Sequence, residues 1–235
     1  RAKIIYAYQN AAAYLDRNIP DELPDEEEEQ EGSGERQQRT EDNRYTLDEM
    51  KENLHELVKQ DLGNVPGMPC TQAVVESFLK ILTVHTIPNV DGVGLDLYKA
   101  IDELFGRKKV NIIDKHVHSG NLSVKFEVFL KKIYYMMHGE EMPPSGSSDK
   151  VTLSTCIFAF DCLRRLRYST DETDRKLSGY LNIIRNNRNT SDGNGAHASY
   201  LQTEAQLDGN IKAFATLYLY VTGMCYDDLK AKYGI

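Results

Sequence analysis

Tryptophan is absent from the 235-residue chain, cysteine occurs four times, and no apolar run approaches the roughly 18 to 20 residues that a membrane-spanning helix needs. The four cysteines, Cys70, Cys156, Cys162 and Cys225, form neither a CxxC pair nor the dense, even spacing of a disulfide scaffold. They are therefore expected to be reduced thiols of a cytoplasmic protein. Residues Arg1 to Asp16 hold no apolar core followed by a small-residue cleavage site, so no secretory signal is expected there. There is no Walker loop, no GxGxxG turn after a strand, no GxSxG elbow and no HExxH pair. The common nucleotide-binding, hydrolase and zinc-protease classes thus lack sequence support, and no cofactor or metal is expected.

What is present is a soluble composition, 40% hydrophobic and 27% charged, enough apolar material for a substantial core. The net charge of −8 is unevenly placed. Eleven acids between Asp21 and Asp42 face only Arg36 and Arg39, so this stretch carries −9 and the remainder is close to neutral. With Pro20, Pro24, Gly32 and Gly34 and little apolar content, residues 20–44 read as a disordered acidic linker. Ahead of it, Ile4, Ile5, Tyr8, Ala12 and Leu15 recur at helical intervals, giving an N-terminal helical arm over 1–19.

The body reads as mainly α, a bundle of seven or eight helices. Thr46-Leu47-Asp48-Glu49 is a capping box, followed by an apolar stripe through Leu47, Met50, Leu54, Leu57 and Val58 as far as Gly63. Thr71 can cap a second helix through Val74, Phe78, Leu82 and Val84, and Leu95 to Phe105 gives a third. The β-branched Val110, Ile112 and Ile113 and the alternating Lys115 to His118 suggest a short strand or an irregular crossing before a helix over Ser123 to His138. Pro143, Pro144 and the serines and glycine after them make 139–150 a second linker, dividing a helical subdomain, 45–138, from a C-terminal three-helix subdomain, 151–235. Its helices are expected at Val151 to Tyr168, Thr170 to about Asn187, and about Ala198 to Met224. The last is too apolar for a narrow stripe and is either central to the bundle or shared with another subunit.

Candidate chemistry gathers in this last third. Arg164, Arg165 and Arg167 end one helix and Arg185 and Arg188 the next. Guanidiniums at helix C-termini are favoured by the dipole and can also bind phosphate. If the helices are antiparallel, these arginines fall at opposite poles. His55, His85, His116, His118 and His138 lack further ligands at metal spacing and read as surface or core histidines.

The segment from Leu177 through Arg185-Asn186-Asn187-Arg188-Asn189 and Asp192-Gly193-Asn194-Gly195-Ala196-His197 has the order helix, Arg-Asn, glycine-rich turn, histidine, helix. It resembles the end of abortive-infection C-terminal domains in the HEPN superfamily, helical bundles of which many dimerise to form a metal-independent ribonuclease site. The resemblance implies RNA as the ligand, Arg188 and Asn189 as the Arg-Asn pair, and His197 as the group that moves a proton at the ribose 2′-hydroxyl or the leaving oxygen. Arg185 with Asn186 is a competing register. Arg188 would neutralise the phosphate, a division that suits a guanidinium that stays charged and an imidazole that titrates near neutrality. Eight residues separate Arg188 from His197, more than is usual in that family, and Ala198 stands where glycine often follows the histidine. An alternative reading is a non-enzymatic assembly, adaptor or nucleocapsid-like homo-oligomer, joined through its N-terminal arm on the acidic tether.

Overall fold

The computed structural model describes residues 44–83, 107–144, 150–191 and 203–235. The expected arm, most of the acidic linker, the helix at Leu95 to Phe105, His85 and His197 lie outside the described residues. Those described form eight helices: α1 (Leu47–Leu62), α2 (Thr71–Thr83), α3 (Ile112–His138), α4 (Leu153–Ala159), α5 (Asp161–Tyr168), α6 (Glu172–Ser191), α7 (Glu204–Met224) and α8 (Tyr226–Tyr233). Their pairing outside helices includes one isolated antiparallel bridge, Arg44 with Arg107.

The capping box forms as its sequence dictates. Thr46 Oγ1 accepts from the Glu49 amide at 3.2 Å, and Glu49 accepts from the Thr46 amide at 2.7 Å. From there α1 buries Met50, Leu54, Leu57, Val58 and Leu62, while Leu47 stays 52% exposed. Thr71 is the first residue of α2 rather than its cap.

Three expectations need correction. The stretch expected as a strand or crossing becomes helical at Ile112, so the helix starts eleven residues before Ser123. Asn111 decides this: its Oδ1 accepts from the Asp114 amide at 2.9 Å, and a satisfied N-cap outweighs the modest helix penalty of two β-branched residues. The helix expected over Val151 to Tyr168 is broken at Phe160, whose backbone is extended (φ −101°, ψ 113°) and whose ring is buried. Finally, the chain turns at Cys225 into α8, a helix that the sequence reading did not foresee.

Helix α7 is central. Every residue from Ala213 to Gly223 is buried, and α7 packs against α6, α3, α2, α1, α5 and α8. A helix apolar all round belongs inside a bundle, which resolves the choice left open for it. Tyr218 sits among Phe126 and Phe129 of α3 and Phe78 of α2, at ring separations of 5.1, 4.7 and 6.1 Å. Residues from both sides of 139–150 enter one continuous core, so that linker does not divide the packing.

Candidate nucleic-acid interface

Two of the arginines at the end of α5 are heavily partnered. Arg164 pairs with Asp161 one turn earlier, and Arg165 reaches Asp174 of α6 and the hydroxyl of Tyr220 on α7, both at 3.4 Å. Burial, reinforced by the nearby Cys162, pushes the Tyr220 hydroxyl well above its ordinary range, so it stays neutral. Arg167 lies over Phe158 and Tyr168, 4.8 and 5.6 Å from their ring centres. Those rings are 6.2 Å apart and 39% and 63% exposed. The break at Phe160 makes this grouping, because it turns α5 so that Tyr168 comes back beside Phe158. Arg164 and Arg165 line an open cavity of about 580 Å³ together with Tyr168, Asp161, Asp171 and Asp174. Three carboxylates against two guanidiniums leave it without the positive excess that phosphate binding requires.

Arg185 and Arg188 belong to the other end of α6. Arg185 is half-buried and donates to Asn182 at 3.4 Å. Arg188 and Asn189 lie within the helix, which runs on to Ser191 past its expected end. From Glu172 to Arg188 is about 24 Å along the helix axis. The arginines of α5 and those at the end of α6 are therefore separate groups, as an antiparallel arrangement requires.

Tertiary contacts establish that α6 and α7 run antiparallel. Asp174 stands level with Tyr220 through Arg165, while further along α6 Lys176 and Tyr180 meet Thr216 and Lys212 through Asp61 of α1. As numbers rise in α6 they fall in α7. Continued at helical rise, this register sets Arg188 level with the first turns of α7, which begins at Glu204 with a Thr203 capping box.

Comparison with known protein families, curated proteins and solved structures finds no match to this chain.

Asp61 is the polar centre of the bundle. Its side chain is wholly buried and accepts from Lys176 (2.5 Å), Tyr180 (3.1 Å) and Thr216 (3.2 Å), with Lys212 at 3.5 Å. Burial alone would raise its pKa, but the Lys176 hydrogen bond and the charges of Lys176 and Lys212 outweigh it and hold the carboxyl below the usual aspartate range. Sequence reading missed Asp61. It falls on the apolar face of α1, three residues after Val58 and seven after Leu54, and an acid in that register was the available signal.

Beside this cluster a groove of about 370 Å³ opens between α1 and α7. Asn53, Glu56, Leu57 and Gln60 line one wall, Asp208, Ile211 and Lys212 the other, with Val110 and Lys115 at one end. Lys115 is held by Glu204 at 2.7 Å and Asp208 at 2.9 Å, and those hydrogen bonds raise its affinity for its proton. The groove therefore shares the end of the bundle where α7 starts and α6 finishes.

Among the described residues no group of three or more histidine, cysteine, aspartate or glutamate side chains could hold a metal ion. His55 and His116 each bury an Nε2 atom without a hydrogen-bond partner. No described helix is long and apolar enough to cross a membrane.

Proposed function

We propose that this is a HEPN-like helical protein of the cytoplasm that binds RNA and cleaves it without a metal ion, using Arg188 and Asn189 at the end of α6 and His197 in the connection to α7. The observation that carries this reading is the antiparallel register of α6 and α7, because it delivers the Arg-Asn end of one helix to the start of the next across the short segment that holds His197. Arg188 would neutralise the phosphate and His197 would transfer the proton, with no cofactor required. Arg164 and Arg165 of α5 are a weaker contribution to RNA binding, being paired to carboxylates, and Arg167 is stacked on Phe158 and Tyr168. Cleavage of single-stranded RNA in the presence of a chelator tests the reading. His197→Ala is expected to abolish cleavage and Arg188→Ala to reduce it by about two to three orders of magnitude; a wild-type chain that cleaves no RNA would sink it.

A second reading, a non-enzymatic homo-oligomeric assembly or adaptor protein, is favoured by one feature of α3. Ile113, Val117 and Val124 are 71%, 54% and 36% exposed, and their spacing sets them along one line of the helix opposite its core face. Such a face suits an amphipathic helix, the character expected of residues 1–19. Removal of those residues would then dissolve an oligomer while leaving the folded body intact, as read by sedimentation.

A further inference from the structure

We propose that the groove between α1 and α7 binds a guanine base, and so supplies base selection to the RNA site read above, on which this inference rests. Leu57 and Ile211, each 8% exposed, line the groove from the two helices and supply its apolar floor, against which the edge of a planar ring can lie. The polar groups at its edges are opposite in kind. Glu56 on α1, 60% exposed and paired at 3.7 Å with its exposed neighbour Lys59, offers a carboxylate that only accepts, and Lys212 on α7, 41% exposed and 3.5 Å from Asp61, an ammonium with further donors to give.

That pairing distinguishes the bases. Guanine alone presents two adjacent donors, N1–H and the N2 amino group, which a carboxylate takes side by side, together with the acceptors O6 and N7 for a cation. Adenine and cytosine put a ring acceptor next to their amino group, which the carboxylate repels, and uracil has a single donor. The Gln60 amide, one turn beyond Glu56, can serve either edge. The groove's charges balance, Glu56 and Asp208 against Lys212 and Lys115, so recognition falls on an uncharged base rather than on phosphate. Its position at the α7 start places such a base beside the strand segment that Arg188 would hold.

The test is titration of the full ¹⁵N-labelled chain with guanosine, adenosine, cytidine and uridine, followed by amide shifts. Guanosine is expected to bind about tenfold more tightly than the others, with shifts centred on residues 53–60 and 208–212. Glu56 is an exposed side chain whose change to glutamine leaves the fold intact, and Glu56→Gln is expected to erase the preference. Lys212→Met weakens guanosine similarly, with circular dichroism to confirm folding, since Lys212 also faces Asp61. Equal affinities for all four nucleosides, no binding of any, or a preference untouched by Glu56→Gln overturns the proposal. Nucleoside binding does not depend on catalysis, so guanosine selectivity in a chain that cleaves no RNA supports the groove and removes the nuclease, whereas cleavage without guanosine binding overturns the groove alone.

Discussion

The hydroxyl of Tyr218 on α7 donates a 2.8 Å hydrogen bond to the backbone carbonyl of Leu122 on α3. Both residues are completely buried, so the phenol's one polar atom is satisfied inside an otherwise apolar aromatic cluster. Burial also drives the phenol's pKa far above its usual value, keeping the proton in place for this bond. Tyr218→Phe keeps the ring contacts and is expected to cost about 1 kcal/mol, because the helical carbonyl loses only its second partner. Tyr218→Ala leaves a cavity between α2, α3 and α7 and is expected to cost about 3 to 5 kcal/mol. Urea midpoints of the two variants check both figures, and equal losses would contradict the separation of hydrogen bond from packing.

Asp61 gives the chain a predictable acid response. Its carboxyl is held below the ordinary aspartate value of about 3.9, so its contribution to stability is fully present above that value and is lost as pH falls through the still lower folded one. Asp61→Asn is expected to cost about 2 kcal/mol at pH 7. This is less than removing one partner from a fully buried ion pair, because Lys176 and Lys212 are 51% and 41% exposed and can turn to water. As pH falls below about 4 the stabilities of the variant and the wild type should begin to converge. Urea unfolding of both proteins between pH 3 and pH 7 measures this; a difference that widens in acid would refute the role given to Asp61.

Local signals in the sequence were sufficient for much of the bundle and failed where tertiary structure decides. The Thr46 capping box and the stripe from Met50 to Val58 depend on residues three and four apart, so α1 was legible from its own segment. Ile112 and Ile113 suggested extended chain, yet both are exposed, and a cap at Asn111 set the conformation that their branching only mildly opposes. The break at Phe160 leaves helical periodicity nearly intact on both sides, so no pattern announced it, and the approach of Phe158, Arg167 and Tyr168 was hidden with it. The arginines were found by charge alone, and charge does not reveal that Arg165 is committed to Asp174 and Tyr220. Asp61 and Lys212 come together only when α1, α6 and α7 pack, across more than 100 residues of chain.

The cysteines should divide sharply by reactivity. Cys70 is exposed, whereas burial pushes the Cys156 thiol up to about 12 and Cys162 up to about 11, and raises Cys225 further. For Cys156 the neighbouring Glu127 adds to the effect, and its thiol points at the Glu127 carbonyl. At pH 8 a thiol near 11 is only about one part in a thousand thiolate, the form that reacts. A disulfide reagent at that pH should therefore label Cys70 promptly and the other three on the timescale of unfolding. Cys70→Ser should remove the fast phase, and a fast phase that survives would show that α4, α5 or α7 opens far more readily than this packing allows.

Two glycines of α3 predict opposite responses to the same substitution. At both Gly120 and Gly139 an added methyl group would meet no atom within 4 Å, so packing does not distinguish them. Backbone conformation does. Gly120 lies within the helix, where alanine reduces the freedom of the unfolded chain and favours helical geometry, so Gly120→Ala is expected to stabilise by about 0.5 to 1 kcal/mol. Gly139 is the residue that ends the helix, left-handed at φ 77°, with its amide donating to the Tyr135 carbonyl at 2.7 Å. A Cβ is unfavourable there, so Gly139→Ala is expected to destabilise by about 1 kcal/mol and Gly139→Asn by less, since asparagine tolerates that conformation best among the other residues. Denaturation midpoints moving in opposite directions for the two alanine variants would tie the end of α3 to Gly139; a stabilising Gly139→Ala would mean that the helix continues beyond it.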